Sequence, residues 1–158
     1  MVGTSDMTII GADDGSTVIT STGEGKIEPC GIGVQGDADL VIENVTFMGK
    51  GSNGIVTAND FTGTISIKGC KFINLNMGIY LNRGCTGGEI TDCDFIGITH
   101  VAIGADALAG TLTLSGNDYG TKGDAKCDVE AYNGSEEYIV SQDGADILDA
   151  DAPADVEG

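Results

Sequence analysis

The sequence has no tryptophan, two prolines, a single histidine (His100) and a single arginine (Arg83). Basic residues number 7 against 25 acids, a net charge of −18. That imbalance argues against nucleic acid and anionic membrane surfaces as partners, because both are polyanions. No apolar run approaches the length of a transmembrane helix, so membrane insertion is not expected. Met1-Val-Gly-Thr-Ser-Asp6 lacks the basic start and apolar run of a secretory signal. Cysteines stand at 30, 70, 85, 93 and 127. An odd number with no Cys-x-x-Cys spacing supports neither a disulfide framework nor a zinc site.

What the chain has is glycine, 26 of 158 residues, and a phrase stated four times. Ile42-Glu-Asn-Val-Thr-Phe47, Ile67-Lys-Gly-Cys-Lys-Phe72, Ile90-Thr-Asp-Cys-Asp-Phe95 and Leu114-Ser-Gly-Asn-Asp-Tyr119 end on aromatics 25, 23 and 24 residues apart. A unit of that size cannot bury its own apolar face and must stack on its neighbours, which is the signature of a solenoid. Leucine-rich repeats share the period but need a Leu and Asn ladder that is missing here. Within each unit the apolar residues alternate instead, as Leu40 and Ile42, Ile65 and Ile67, or Leu112 and Leu114. Alternation is the period of a strand with one face inward. It resumes after a short bend as Val45 and Phe47, Cys70 and Phe72, Cys93 and Phe95, and a further apolar run follows in each unit. Three short strands per coil and about five coils make the expected fold all-β, a parallel β-helix. In this register Cys70 and Cys93 occupy one inward position on consecutive coils, where they serve as small buried hydrophobes.

These features resemble the right-handed parallel β-helix superfamily typified by pectate lyases. The likeness rests on the Ile-x-x-x-x-Phe phrase and on the strands Gly31-Ile-Gly-Val34, Gly54-Ile-Val-Thr57 and Gly78-Ile-Tyr-Leu81. It covers roughly residues 6 to 133 and implies a fold, not an activity, since that fold hosts lyases, esterases, adhesins and viral spikes. The enzymes of the superfamily act mostly on acidic polysaccharides, and their motifs are largely missing. The Asp-Asp pair, Asp13-Asp14, falls in an early turn, and His100 lacks the flanking glycines of polygalacturonase-like enzymes. Tyr80-Leu-Asn-Arg-Gly84 keeps only the Leu and Arg of a pectinesterase phrase. Lyase-like β-elimination would need a base beside calcium, and Arg83 is the catalytic candidate. Asn59 and Asp60 flank it one coil earlier and Asp106 one coil later. Tyr80 as a stacking platform, with Asn82 and Arg83 as donors, would instead suit a sugar ring. With Ile32, Ile55 and Ile79 inward, the outward positions carry Gly33, Val56 and Tyr80; in the next coil Ala102 and Gly104 are expected outward.

Calcium is the ion that Asp37 with Asp39, or Asp92 with Asp94, would attract. Neither pair forms an EF-hand loop or a Gly-Gly-x-Gly-x-Asp repeat, so no metal or other cofactor is assigned. One domain is expected over residues 1–141, followed by an acidic tail or linker over 142–158, where six acids and no base follow Gln142. So short a stack leaves its ends to be covered by a second copy or a neighbouring domain. The expected role is a non-catalytic structural or adhesive module of a bacterial surface protein or a phage spike or decoration protein, extracellular, on the cell surface or in a virion. A carbohydrate-binding module, or the remnant of a polysaccharide lyase or esterase, is the alternative.

Overall fold

The computed structural model describes residues 2–3, 5–22, 29–120, 127–132, 139–142 and 145–147. Every element in them is a strand. The first coil runs β2 (Met7–Ile10), β3 (Val18–Thr20) and β4 (Cys30–Val34), preceded by β1 (Val2–Gly3). The second is β5 (Leu40–Glu43), β6 (Thr46–Met48) and β7 (Asn53–Thr57); the third is β8 (Ile65–Lys68), β9 (Lys71–Ile73) and β10 (Met77–Leu81). The fourth is β11 (Gly88–Thr91), β12 (Asp94–Ile96) and β13 (Val101–Asp106). A fifth follows with β14 (Thr111–Ser115) and β15 (Cys127–Tyr132), its middle strand reduced to one bridge between Asp94 and Asp118. β16 (Ile139–Gln142) begins another turn, and β17 (Ala145–Ile147) folds back antiparallel on it.

Like strands stack in parallel into three sheets. Sheet A is β1-β4-β7-β10-β13-β15, sheet B is β17-β16-β14-β11-β8-β5-β2, and sheet C is β12-β9-β6-β3. This is the expected solenoid of three strands per coil. The acidic segment beyond Ile147 lies outside the described residues, as does the side chain of Cys127.

The repeated phrase is the passage from sheet B through a bend into sheet C. Its third residue adopts the left-handed conformation at Asn44, Gly69, Asp92 and Gly116, with φ between 54° and 64°. Asn, Asp and Gly tolerate that conformation best, which is why the phrase carries one of them there. The two kinds alternate for a steric reason. A Cβ on Gly69 would lie 2.7 Å from Asn44 Oδ1, and one on Gly116 would lie 2.5 Å from Asp92 Oδ1. Each Asx side chain therefore rests on the glycine of the next coil.

The phrase's last residue builds the centre of the core. Phe47 and Phe72 stack with ring centroids 5.1 Å apart, Phe72 and Phe95 at 4.9 Å, and both pairs are within 8° of parallel. Behind the rings sit Gly31, Gly54 and Gly78, where a Cβ would come within about 3 Å of Phe47, Phe72 and Phe95 respectively. The next residue in that register is Ala102, which is buried rather than outward as the alternation suggests. Gly78 and Ile79 are likewise adjacent and both buried, so strict alternation fails at this position. The ladder loosens there too: Phe95 and Tyr119 are 5.5 Å apart and inclined by 23°.

A further inward column runs through the corner between sheets A and B. Ala38, Phe61, Cys85 and Leu108 are all buried and recur every 23 or 24 residues. They sit in loops without alternation, so a search for strands does not find them although their spacing betrays them.

Candidate functional site

The corner that holds Phe61 and Cys85 inside also carries the sequence-derived candidates outside. β10 lies between β7 and β13, with Tyr80 paired to Val56 on one side and to Gly104 on the other. Extending this register places Arg83 level with Asn59 and Asn82 level with Asp106. The expected neighbours are thus brought to one face of adjoining turns.

Their side chains are engaged with the protein itself. Arg83 Nε lies 3.5 Å from Asp106 Oδ2, with the Arg83 side chain 64% exposed and that of Asp106 15% exposed. An ion pair so open to solvent contributes at most about 1 kcal/mol. It does leave the guanidinium beside a carboxylate that competes with any acidic substrate. Asn82 turns back on β7: its N–H donates to Thr57 Oγ1 at 2.7 Å, and its side-chain amide donates to the Thr57 carbonyl. The Cδ2–Cε2 edge of Tyr80 lies over Gly104, which is outward as expected; a Cβ there would be 2.7 Å from the ring. Asn59 and Asp60 are exposed on the preceding turn. Tyr80 and Arg83 therefore present a small polar face in which the cation is already opposed by an acid. Such a face suits hydrogen bonding to a neutral ligand better than proton abstraction.

The other candidates are dispersed. His100 is exposed in the turn before β13, its N–H donating to the Asn76 carbonyl at 2.9 Å. Asp39 Oδ1 accepts from the Thr64 N–H and hydroxyl, both at 2.8 Å, and these bonds hold its carboxyl below the usual carboxylate range. Asp94 pairs with Lys71 at 3.4 Å. Among the described residues no group of three or more His, Cys, Asp or Glu side chains is placed to hold a metal ion.

Cys70 and Cys93 are buried, unbridged and stacked between Val45 and Asn117, as their shared register implies. Asn117 closes this column, accepting from the Cys93 N–H at 3.0 Å and donating to the Ile90 carbonyl at 3.0 Å. The neighbouring Cys70 thiol, together with burial, pushes the Cys93 thiol up. Burial does the same to Cys85. A thiol held protonated is a poor nucleophile, so Cys85 and Cys93 pack rather than react, whereas the bond with Cys93 shifts the Cys70 thiol down.

A cleft of about 230 Å³ opens at a different corner, between the Asp13–Gly15 turn and the bend from sheet B to sheet C. The sequence sets Asp13-Asp14 apart as a pair but does not show what it faces. That depends on coils some thirty residues later.

A family model described as a right handed beta helix region matches residues 7–141. No curated protein and no solved structure matches the chain. The matched span runs from the first residue of β2 into β16 and takes in the aromatic ladder and all four statements of the phrase. The chain belongs to the right-handed β-helix family.

Proposed function

We propose that this chain is a non-catalytic β-helix module with a structural or adhesive role, of the kind built into bacterial surface proteins and phage spikes, and that it works against a partner seated on its first coil. One observation carries the reading. Leu40, Ile42 and Phe47 of the second coil are fully buried, whereas the residues in register below them, Met7, Ile9 and Ile19, are only partly buried. Around them Ile10 and Val18 are 65% and 48% exposed. An inward row left half in water gains free energy from any surface that completes it, at about 25 cal/mol per Å² of apolar area covered. A second copy or a neighbouring domain would serve, since either can also pair the outer edges of β2 and β3, which have no partner strand among the described residues.

Sedimentation equilibrium tests this. The expected result is self-association that weakens on dilution and falls to monomer in Ile10→Lys, where a charge enters the rim without touching the core. A compact monomer, with a melting temperature independent of concentration, would remove the second copy as the partner. Incubation with uronic polysaccharides and calcium tests the non-catalytic part: unsaturated product that is lost in Arg83→Ala would overturn it. The openness of Arg83 and the outward Tyr80 favour sugar binding at that corner as a second reading, and a glycan array negative for every sugar would sink it.

A further inference from the structure

The cleft at the bend from sheet B to sheet C lies on the flank away from Tyr80 and Arg83. Asn44, Thr46, Gly69 and Lys71 line it from the bend, and Asp13, Asp14 and Gly15 from the early turn. The turn is held in place from both ends. Thr17 Oγ1 accepts from the Ala12 N–H at 2.9 Å, and the Thr17 carbonyl accepts from the Thr46 N–H at 2.9 Å. Asn44 Nδ2 donates to Asp13 Oδ1 at 3.3 Å, and the Ser16 N–H donates to Asp14 Oδ1 at 2.9 Å. The Ser16 side chain bonds the Asp14 carboxylate as well, and Asp13 Oδ2 lies outside these bonds. Lys71 leans on Asp94 and so adds little net positive charge.

Thr46 is the unusual member. It is only 9% exposed, it lines the cleft, and among the described residues its hydroxyl has no hydrogen-bond partner. A buried hydroxyl without a partner is destabilising, and buried polar groups in native proteins are nearly always satisfied. Valine would fill the same space on this strand without that penalty. The hydroxyl is thus accounted for if a ligand meets it.

We propose that this cleft binds a single amine-bearing sugar unit, its ammonium group between the Asp13 and Asp14 carboxylates and one of its hydroxyls on Thr46 Oγ1. Size, charge and polarity agree. The volume of about 230 Å³ lies below the roughly 300–1,000 Å³ of pockets that enclose drug-sized ligands, and gives room for one ring. Two carboxylates beside a neutralised lysine attract an ammonium and repel a carboxylate, so a uronic acid is rejected. Carboxylate oxygens, an amide and a hydroxyl supply the dense acceptors and donors that a polyol needs. The glycines at 15 and 69 let the ligand approach the backbone.

The test is a titration of the whole chain with a β-1,4-linked glucosamine disaccharide, followed by amide chemical shifts, beside the glucose and galacturonic acid disaccharides. The expected result is saturable shifts centred on residues 13–16, 44–46 and 69–71 with the glucosamine disaccharide, binding at least about tenfold weaker with the neutral sugar, and none with the uronate, tenfold corresponding to one lost charge-assisted contact. Thr46→Val keeps the shape and charge of the site and should weaken binding about fivefold, one hydrogen bond's worth. Asp14→Asn should weaken it by about tenfold or more. Absence of shifts at millimolar sugar, equal affinity for the uronate, shifts centred on Tyr80, or unchanged affinity in a well-folded Thr46→Val protein would each overturn the proposal. Non-specific attraction of a cation to an acidic protein is separated by Thr46→Val, which leaves the charge untouched.

Discussion

The first coil and the three above it follow one pattern and differ in what the pattern meets. In the second to fourth coils each inward residue has a counterpart above and below, so Phe72 lies between Phe47 and Phe95 and is wholly shielded. In the first coil the aromatic column begins with Ile19, paired to Phe47 on one side and partly open on the other. Position in the repeat fixes which way a side chain points. Position in the stack fixes how much that direction is worth. For a solenoid, where each coil touches only its neighbours, stability is a sum over interfaces, and an end coil has one fewer.

Substitutions at equivalent positions put figures on this contrast. Phe72→Ala should destabilise by about 3–5 kcal/mol, because it removes a ring from the middle of the stack and leaves a cavity lined by Phe47, Phe95 and Gly54. Ile19→Ala, one register position in the first coil, should cost about 2 kcal/mol, the low end for an aliphatic truncation. Urea unfolding of both variants measures the gap, and equal losses would mean that the first coil is as well covered as the third.

A second pair separates backbone from packing at the bends. Gly69→Ala meets both a left-handed φ of 60° and the Asn44 side chain, whereas Gly15→Ala, at φ 74°, meets open space. The conformational term is about 1–2 kcal/mol for each. Thermal melts should place Gly69→Ala below Gly15→Ala, and the order should vanish when Asn44 is also changed to Gly.

The smallest effect concerns the link between the first two coils and the third. The bonds from Thr64 lower the Asp39 pKa below its ordinary value of 3.8. A carboxyl depressed in the folded state adds stability above its unfolded pKa and loses it as pH falls through the lower folded value. Melting temperature followed from pH 5 down to pH 2 should therefore drop less steeply in Asp39→Asn than in the parent chain. Parallel acid limbs would show that these bonds are equally strong to the protonated side chain.

Much of the fold could be read from spacing, because a repeat reports the same local geometry several times. Asn44, Gly69, Asp92 and Gly116 each satisfy one backbone demand, and Phe47, Phe72 and Phe95 one packing demand, so coincidence is excluded by repetition. What escaped the pattern was either unrepeated or hidden in loops. Ala102 replaces a glycine and is buried at a position where strict alternation expects an outward residue. The Arg83 neighbours were legible, since coil register places Asn59, Asp60 and Asp106, but the commitments of Asn82 to Thr57 and Arg83 to Asp106 depend on rotamers that no sequence pattern encodes. The Thr46 cleft was illegible for another reason. Its walls come from one turn found only in the first coil and from the regular coils it leans on.

The alternation at the bend from sheet B to sheet C has a consequence for how such a chain can grow. Glycine at 11, 69 and 116 is interleaved with Asn44 and Asp92, each long side chain lying across the short residue that follows it. Copying or deleting one coil would bring Asx onto Asx, or glycine onto glycine, at the seam. Copying or deleting two would restore the order. The structural repeat is one coil, but the unit that can be inherited, inserted or engineered without a fault at this corner is a pair of coils.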